Sequence, residues 1–537
     1  MAESVKPWWQ HGVFYQIYPR SFQDSNADGV GDIRGIMDRL PYLQALGVDA
    51  IWLSPIFPSP MADFGYDISD YTGVDRLFGS MGDFEALLDA AHVGGLKVIL
   101  DLVPNHTSDQ HPWFVESQRS KDNPKRDWYI WRDPATDGGP PNNWLSEFGG
   151  SAWNYDASTA QYYYHAFLSQ QPDLNWRNPA VRHAIHDVMR FWLRKGVDGF
   201  RVDVIWHLIK DAAFRDNPLN PAFREGRPPH ERLSPLHSTD QPEVHDVIAE
   251  MRRVIDEFDS RVLIGEIYLP PERLVAYYGR DLGGAQLPFN FALLSAPWNA
   301  RSIEKIIHDY EGALPAGAWP NWVLGNHDRP RVASRVGHDQ ARVAAMLLLT
   351  LRGTPTLYYG DELGMRQVAI APDQVRDPIE KNVPDIGVGR DGCRTPMQWD
   401  ATRYAGFSTS TPWLPVAEDS VHENVVNLAA DTRSILSLYK ALIGLRRKLP
   451  LLQLGDYVPV TADGDLLLYR RERSGSSLTI ALNLGDQPVS IASSTAGLSG
   501  TILLSTFLDR EREAIEGGLD LRGNEGVIID TSGIYAG

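Results

Sequence analysis

The chain has 537 residues with 51 basic and 69 acidic side chains, a formal net charge of −18 and a single cysteine, Cys393. That charge argues against nucleic acid or an anionic membrane as partner and suits a neutral ligand. One cysteine excludes an intrachain disulfide and fits a reducing compartment. Met1 to Gly12 has no apolar stretch of the signal-peptide kind, and the longest apolar run of note, Val343 to Leu351, is far too short to span a bilayer, so a cytoplasmic location is expected.

Val13 to Pro19 reads as a buried strand, Ile33 to Gly47 as a helix stopped by its glycine, and Ala50 to Pro55 as a second strand. Ser80 is placed to cap a helix running to Gly95, before a third strand at Lys97 to Val103. Pro104 to Asn175 is rich in Trp, Tyr, Asn, Gly and Pro, too long for a loop, and reads as an inserted subdomain. A helix at Asn178 to Lys195 leads to a fourth strand, Gly199 to Val204; a Pro-rich polar stretch follows at Asp211 to Gln241. The alternation resumes with a helix at Glu243 to Phe258, a strand at Arg261 to Ile267 and a helix near Pro271 to Tyr278. It continues with a strand at Gln286 to Phe291, a helix at Arg301 to Tyr310 and a strand at Asn321 to Asn326. It ends with a helix at Gln340 to Arg352 and a strand at Thr354 to Gly360. Eight strands alternating with helices predict an α/β fold, a closed (β/α)8 barrel over residues 1–104 and 175–450, interrupted by the subdomain at 105–174. After a helix at Arg433 to Lys448, strands without helices (Asp465 to Arg471, Leu478 to Leu484, Thr501 to Phe507) predict a C-terminal antiparallel β-sandwich over 451–537.

In such barrels the chemistry sits at the C-terminal ends of the strands. The third strand runs into Asp101-Leu102-Val103-Pro104-Asn105-His106, the fourth carries Arg201 and Asp203, the fifth ends in Gly265-Glu266-Ile267 and the seventh in Asn326-His327-Asp328. Arg201 and Asp203, two apart on a strand, share a face, so the arginine is expected to keep the aspartate ionised as a nucleophile. Glu266, beside a glycine and apolar residues, is the candidate for a raised-pKa acid. Asp328 would tighten on sugar hydroxyls in the transition state, and His106 and His327 would donate to the same ring. Two carboxylates flanking one bond are the apparatus of glycoside hydrolysis, which needs no cofactor for its chemistry. Metal catalysis is disfavoured: the sequence has no HExxH, HxH or cysteine pair.

Those four segments resemble the four signature regions of glycoside hydrolase family 13, the α-amylase family, and the resemblance covers almost the whole chain. The exo-acting α-glucosidase and oligo-1,6-glucosidase branch is the closer match. Tyr15-Gln16-Ile17-Tyr18-Pro19-Arg20-Ser21-Phe22, Asp63-Phe64-Gly65-Tyr66-Asp67 and Arg394-Thr395-Pro396-Met397-Gln398-Trp399 carry it. The resemblance implies Asp203 as nucleophile, Glu266 as acid/base and Asp328 as stabiliser. It implies Tyr66 as a platform under the terminal glucose and Asp63 with Arg394 as the pair that closes the pocket. His106, Arg201 and His327 complete that subsite. It implies release of single glucosyl units from small α-glucosides, with transfer to hydroxyl acceptors as a companion reaction. Sucrose- or trehalose-converting chemistry on the same scaffold is the alternative, although no Arg-Leu-Asp-Arg-Asp type loop is present. Val204, next to the nucleophile, leans toward α-1,6 or mixed linkage. A non-catalytic transporter partner, the reading from a different class, is disfavoured because all three acids are retained.

Asp24-Ser25-Asn26-Ala27-Asp28-Gly29-Val30-Gly31-Asp32 places oxygen donors at alternate positions with a glycine after the third, the opening of a calcium loop. Asp24, Asn26, Asp28, Val30 and Asp32 are the expected ligands of a structural Ca2+ or Mg2+. Gly35 stands where an EF-hand has its twelfth-position acid. Monomer and homodimer both stay open.

Overall fold

A computed structural model describes residues 6–492 and 498–533. Met1 to Val5, part of the segment read as lacking a signal peptide, and residues 493–497 and 534–537 of the expected β-sandwich lie outside the described residues. Eight strands close a barrel: β1 (Phe14–Ile17), β2 (Ala50–Leu53), β3 (Lys97–Leu102), β4 (Gly199–Val202), β5 (Val262–Gly265), β6 (Leu287–Asn290), β7 (Asn321–Val323) and β8 (Thr354–Tyr358). Every neighbouring pair is parallel, and β8 pairs with β1. All eight expected strands are present but shorter, because the polar residues at their C-terminal ends leave the ladder and become the rim.

The interior follows from strand parity. Phe14, Ala50, Trp52, Ile99, Val262, Ile264, Leu287, Phe289 and Val323 pack into one apolar plug, each two residues apart where a strand contributes a pair. Gly199 is forced by close approach: a Cβ there would lie 2.3 Å from the Val262 carbonyl oxygen of the next strand.

The outer helices start where the sequence supplies caps. Ser80 and Asp83 form a capping box at the head of Met81–Val93, and Asn178 caps Pro179–Lys195, which ends on left-handed Gly196 at φ 107°. The single helix expected over Ile33 to Gly47 is two, Ile33–Asp38 and Leu40–Leu46. Pro41 lacks the N–H that would join them, and Arg39 turns the chain at φ −101°, ψ 2°.

Between β3 and β4 the insertion folds a three-stranded antiparallel sheet, with Gln161–Tyr164 between Trp131–Arg132 and Trp153–Asp156. It also contains a helix the sequence reading did not foresee, Pro112–Arg119, started by the His111 ring accepting from Trp113 N–H. Its exit is locked to the barrel by Lys210. The Lys210 Nζ lies 2.5 Å from Asp173 and 2.8 Å from Asn105 Oδ1, and Asn105 Nδ2 donates to Asp173 at 2.9 Å.

C-terminal to the helix Ile435–Lys448, a six-stranded antiparallel sheet faces a two-stranded one made by Val489–Ala492 and Gly518–Leu521. Leu468, Ala481, Ile491, Leu519 and Ile529 from both sheets share one core, so the expected sandwich is present. Two fully buried arginines weld it to the barrel. Arg446 donates to the carbonyls of Leu349, Leu351, Gly353 and Leu452, and Arg471, from the sheet, to those of Thr350, Leu452 and Gly455. Several of these oxygens end the helix His338–Thr350, where the peptide dipoles present partial negative charge. No helix among the described residues is long and apolar enough to cross a membrane.

Candidate active site

The site is the next inward layer above the apolar plug. Asp101 follows Ile99 on β3; Arg201 and then Asp203 follow Gly199; Glu266 follows Ile264; Gln16 follows Phe14. Parity alone aims these side chains at the barrel axis. Register then sets Asp101 opposite Arg201 and Arg201 opposite Ile264.

Arg201, wholly buried, is the hub. Its Nη1 donates to Asp101 Oδ1 at 2.8 Å and to Asp203 Oδ1 at 2.7 Å, and its Nη2 lies 2.7 Å from Glu266 Oε2. Burial pushes the Asp203 carboxyl well above the carboxylate range; Arg201 opposes this, but Glu266 and Asp101 add to it. Arg201, expected to hold Asp203 ionised, is divided among three carboxylates. Asp203 and Glu266 thus share one guanidinium, on Nη1 and Nη2. Asp101, pushed up to about 6 chiefly by burial, also accepts from Tyr66 Oη at 3.0 Å and Trp52 Nε1 at 3.1 Å.

Val204 follows Asp203 in a left-handed turn, φ 36° and ψ 47°, unusual for a β-branched residue. The turn aims its backbone N–H at Glu266 Oε2, 3.0 Å away.

Beyond Tyr66 the pocket is walled by alternating charges. Arg390 Nη2 donates to Asp63 Oδ1 at 2.7 Å and its Nη1 to Asp328 Oδ1 at 3.3 Å, while Arg394 Nη2 donates to Asp328 Oδ1 at 2.9 Å. Asp63 and Arg394, expected to close the pocket together, both belong to this wall: Asp63 binds Arg390, and Arg394 turns to Asp328 and to the His327 carbonyl at 2.7 Å. Arg390 is itself gripped by buried Asp377, at 2.7 Å from Nη2 and 3.0 Å from Nε. Burial would raise Asp328, but the Arg390, Arg394 and Arg201 guanidiniums, with the neutral His327 ring 3.3 Å away, outweigh it and hold the carboxyl well below its usual range. It therefore stays ionised.

Burial lowers His327 well below the usual imidazole range, so the ring is neutral. Gln16 Nε2 meets its Nδ1 at 2.8 Å, which leaves Nε2–H to donate beside Asp328. Tyr66 lies parallel to that imidazole, 5.3 Å between centroids and 6° between planes. His106, down to about 4 through burial, commits Nδ1 to Asn105 Nδ2 at 3.1 Å and Nε2 to the Tyr66 carbonyl at 3.0 Å. It thus positions Tyr66 through the protein side. The sequence reading did not name Gln16, Asp101, Gln171 or Arg390 as site residues. Gln171 lies 3.4 Å from Asp63 Oδ2 and 3.2 Å from His106 Nε2. Gln16 and Asp101 were within reach of strand parity; Gln171 and Arg390 sit in irregular chain that gives no such signal.

The Asp24–Asp32 loop lies apart from these residues. Asp24 accepts from the N–H groups of Asn26, Ala27 and Gly29, Asn26 Oδ1 from Asp28, Asp28 Oδ1 from Val30, and Asp32 from Ser25 and Gly35. Among the described residues no group of three His, Cys, Asp or Glu is arranged as a metal cluster. The donors are oxygen only, and Asp28 Oδ2 accepts no hydrogen bond among the described residues, a composition that fits a hard cation.

Carboxylates converging on one arginine at the top of a (β/α)8 barrel define a class of hydrolytic barrel enzyme. Residues 16–455 match the alpha amylase catalytic domain. The chain is 42% identical over 503 residues to a Rhizobium meliloti protein described as a probable alpha-glucosidase, covering 91% of each. It is 40% identical over 523 residues to an oligo-1,6-glucosidase of Heyndrickxia coagulans, covering 90% of this chain and 93% of that one. The solved structure of XgtA, an alpha-glucosyl transfer enzyme, superposes with a TM-score of 0.92 at 40% identity, covering 98% of this chain and 100% of the other. The chain belongs to the α-amylase family and is a glycosidase.

Proposed function

We propose that the protein is a retaining, exo-acting α-glucosidase that removes one glucose at a time from the non-reducing end of short α-glucosides. The observation that carries this reading is the Asp63–Arg390–Asp328–Arg394 wall behind Tyr66 and His327. A pocket closed there admits one sugar ring and no chain extending past it. Asp203 attacks the anomeric carbon and the Glu266 proton goes to the leaving oxygen. Water, deprotonated by Glu266, then releases glucose with its configuration kept. Asp203 and Glu266 both sit at 2.7 Å on the one Arg201 guanidinium, a closeness that supports a retaining pair, about 5–5.5 Å apart, over the wider inverting pair. A sugar hydroxyl in place of water gives transglucosylation by the same step, the activity named for XgtA. The family resemblance of Val204 favours α-1,6 or mixed linkage, and cytoplasmic action fits the charge and single cysteine.

Product analysis by NMR and chromatography tests the reading. Maltose, isomaltose, sucrose and maltotriose are offered separately; α-glucose as first product, single-unit shortening of the trisaccharide and no attack on a cyclic glucan are expected. A β-anomer as first product would overturn retention, and cleavage of the cyclic glucan would overturn exo action.

We also propose that Asp24, Asn26, Asp28, Asp32 and the Val30 carbonyl hold a structural divalent cation. Its contribution is to tie this loop to Ser408, whose hydroxyl donates to Asp24 at 2.6 Å. After chelation, 1 mM Ca2+ or Mg2+ is expected to raise the melting temperature by several degrees, about 1–3 kcal/mol through mass action. Asp28→Ala should abolish the shift without changing kcat; no shift in the parent protein rejects the site.

A further inference from the structure

The long loop after β4 meets the inserted subdomain at two seams of different chemistry. At the first, amides and an indole pair with backbone. Asn143 Nδ2 donates to the Asn217 carbonyl at 2.9 Å and its Oδ1 accepts from Asn217 N–H at 2.8 Å. Asn142 Nδ2 donates to the Phe214 carbonyl at 3.0 Å and Trp144 Nε1 to that of Arg215 at 2.9 Å. None of these four bonds uses a group that titrates near neutrality. Past that seam the chain folds back on itself. Ser234 N–H donates to the Pro218 carbonyl at 2.9 Å, Asn220 N–H to that of Arg232 at 2.8 Å, and His237 N–H returns to Asn217 Oδ1 at 2.8 Å. No residue from 218 to 236 is buried, so little apolar packing holds this flap down.

Among the described residues, one pair alone joins the flap to the subdomain by hydrogen bond or ion pair. His230 Nε2, on the short helix Pro229–Arg232, lies 2.9 Å from Glu147 Oε2. Glu147 stands at the pocket mouth: Phe148, next in the chain, lies under the Arg390 guanidinium at 5.0 Å and packs at 5.9 Å on Phe167, which packs at 5.2 Å on His106. This second seam titrates. Burial would lower His230, but Glu147, with Glu231 beside it, outweighs burial and holds the imidazole above its ordinary value. Burial would raise Glu147, but His230, with His207 and Arg329 as further neighbours, holds it below its usual value. Glu231 is itself paired with Arg227 at 2.5 Å. Both directions describe an ion pair. Its ionic part is complete below the ordinary imidazole value of about 6.5 and is lost as pH rises through the raised value.

We propose that Glu147–His230 is a pH-set latch: charged, it holds residues 218–236 against the inserted subdomain and slows passage of sugar through the pocket mouth; with His230 neutral, it lets the flap go. This rests on the α-glucosidase reading for its sugar. Maltose binding to Asp203→Asn, which does not turn the sugar over, is followed by stopped-flow tryptophan fluorescence. Association and dissociation rates are expected to rise together between pH 6 and pH 8.5, by up to about fivefold, the worth of one partly exposed ion pair. Adding Glu147→Gln should give the fast rates at both pH values, and adding His230→Arg, which keeps the charge without titrating, the slow rates at both. Trypsin cleavage after Arg224 and Arg232 in proteins with Asp203 intact, scaled to a free peptide of the same residues, should follow the same order without any sugar. Parent rates that do not change with pH, or a pH dependence that survives Glu147→Gln, overturn the latch. Failure of the parent protein to release glucose from maltose, isomaltose or p-nitrophenyl α-glucoside overturns the α-glucosidase reading instead, and the cleavage pattern then decides the latch by itself.

Discussion

Asp203→Asn is expected to lower kcat on p-nitrophenyl α-glucoside by at least about 10^4-fold while the protein stays folded. Asparagine has the size of aspartate and its Oδ1 still accepts from Arg201 Nη1, now 2.7 Å away, so the fold has no reason to change. What is lost is the covalent bond. The amide cannot form a glucosyl ester, and the remaining carboxylates, Asp101 and Glu266, are held by Arg201 in other places. Small anions separate the two roles. In Asp203→Gly, azide fills the vacated face and should give β-glucosyl azide. In Glu266→Ala it meets the glucosyl-enzyme from the opposite face and should give α-glucosyl azide. The reverse pairing of anomers would exchange the roles assigned here. Turnover within tenfold of the parent in Asp203→Asn would remove the nucleophile altogether.

Arg471→Met should destabilise the protein by about 3–5 kcal/mol, read as a lowered urea midpoint. The side chain faces carbonyl oxygens and no carboxylate: Thr350, Leu452 and Gly455 receive its hydrogen bonds among the described residues. Burial, with Arg446 as a second positive charge beside it, brings Arg471 down to about 9. Methionine fills the volume but leaves those oxygens dry and unpaired, and that term dominates over relief of a buried charge. The double variant with Arg446→Met should lose less than the sum of the single losses, because each arginine is destabilised by the other. A midpoint within 0.3 M of the parent would show that the weld contributes little.

Much of this was legible in the sequence, for identifiable reasons. Barrel strands buried on both sides are short apolar runs, and all eight stood out against amphipathic helices. Glu266 sits two residues beyond inward Ile264, and Asp203 two beyond Arg201 on the face of Gly199, so period-two reasoning reached them. The Ser80 cap announced its helix. The break at Arg39 was hidden because the apolar period continues across it, although Pro41 was the clue. Arg390 was hidden differently. It lies in a long irregular stretch where no periodicity fixes direction, and its role depends on Asp377 and Asp63, which lie 13 and 327 residues away in sequence. Arg394, in the more noticeable motif, was named for the wall where Arg390 was not. The protonation of the core was likewise out of reach, since it depends on how many carboxylates share one guanidinium.

The turn at Val204 ties two properties together. Its side chain is the position that leans the reading toward α-1,6 linkage; its backbone N–H, held at a positive φ that valine tolerates poorly, anchors Glu266. A glycine there would relax the turn as well as enlarge the pocket, and a threonine would change the contacts while keeping the strain. On the proposed reading, linkage preference and proton delivery therefore meet at this one residue. A lineage drifting toward another disaccharide through residue 204 moves along a slope in rate at the same time, and compensation would be sought in whatever holds Glu266 from its other side, Arg201.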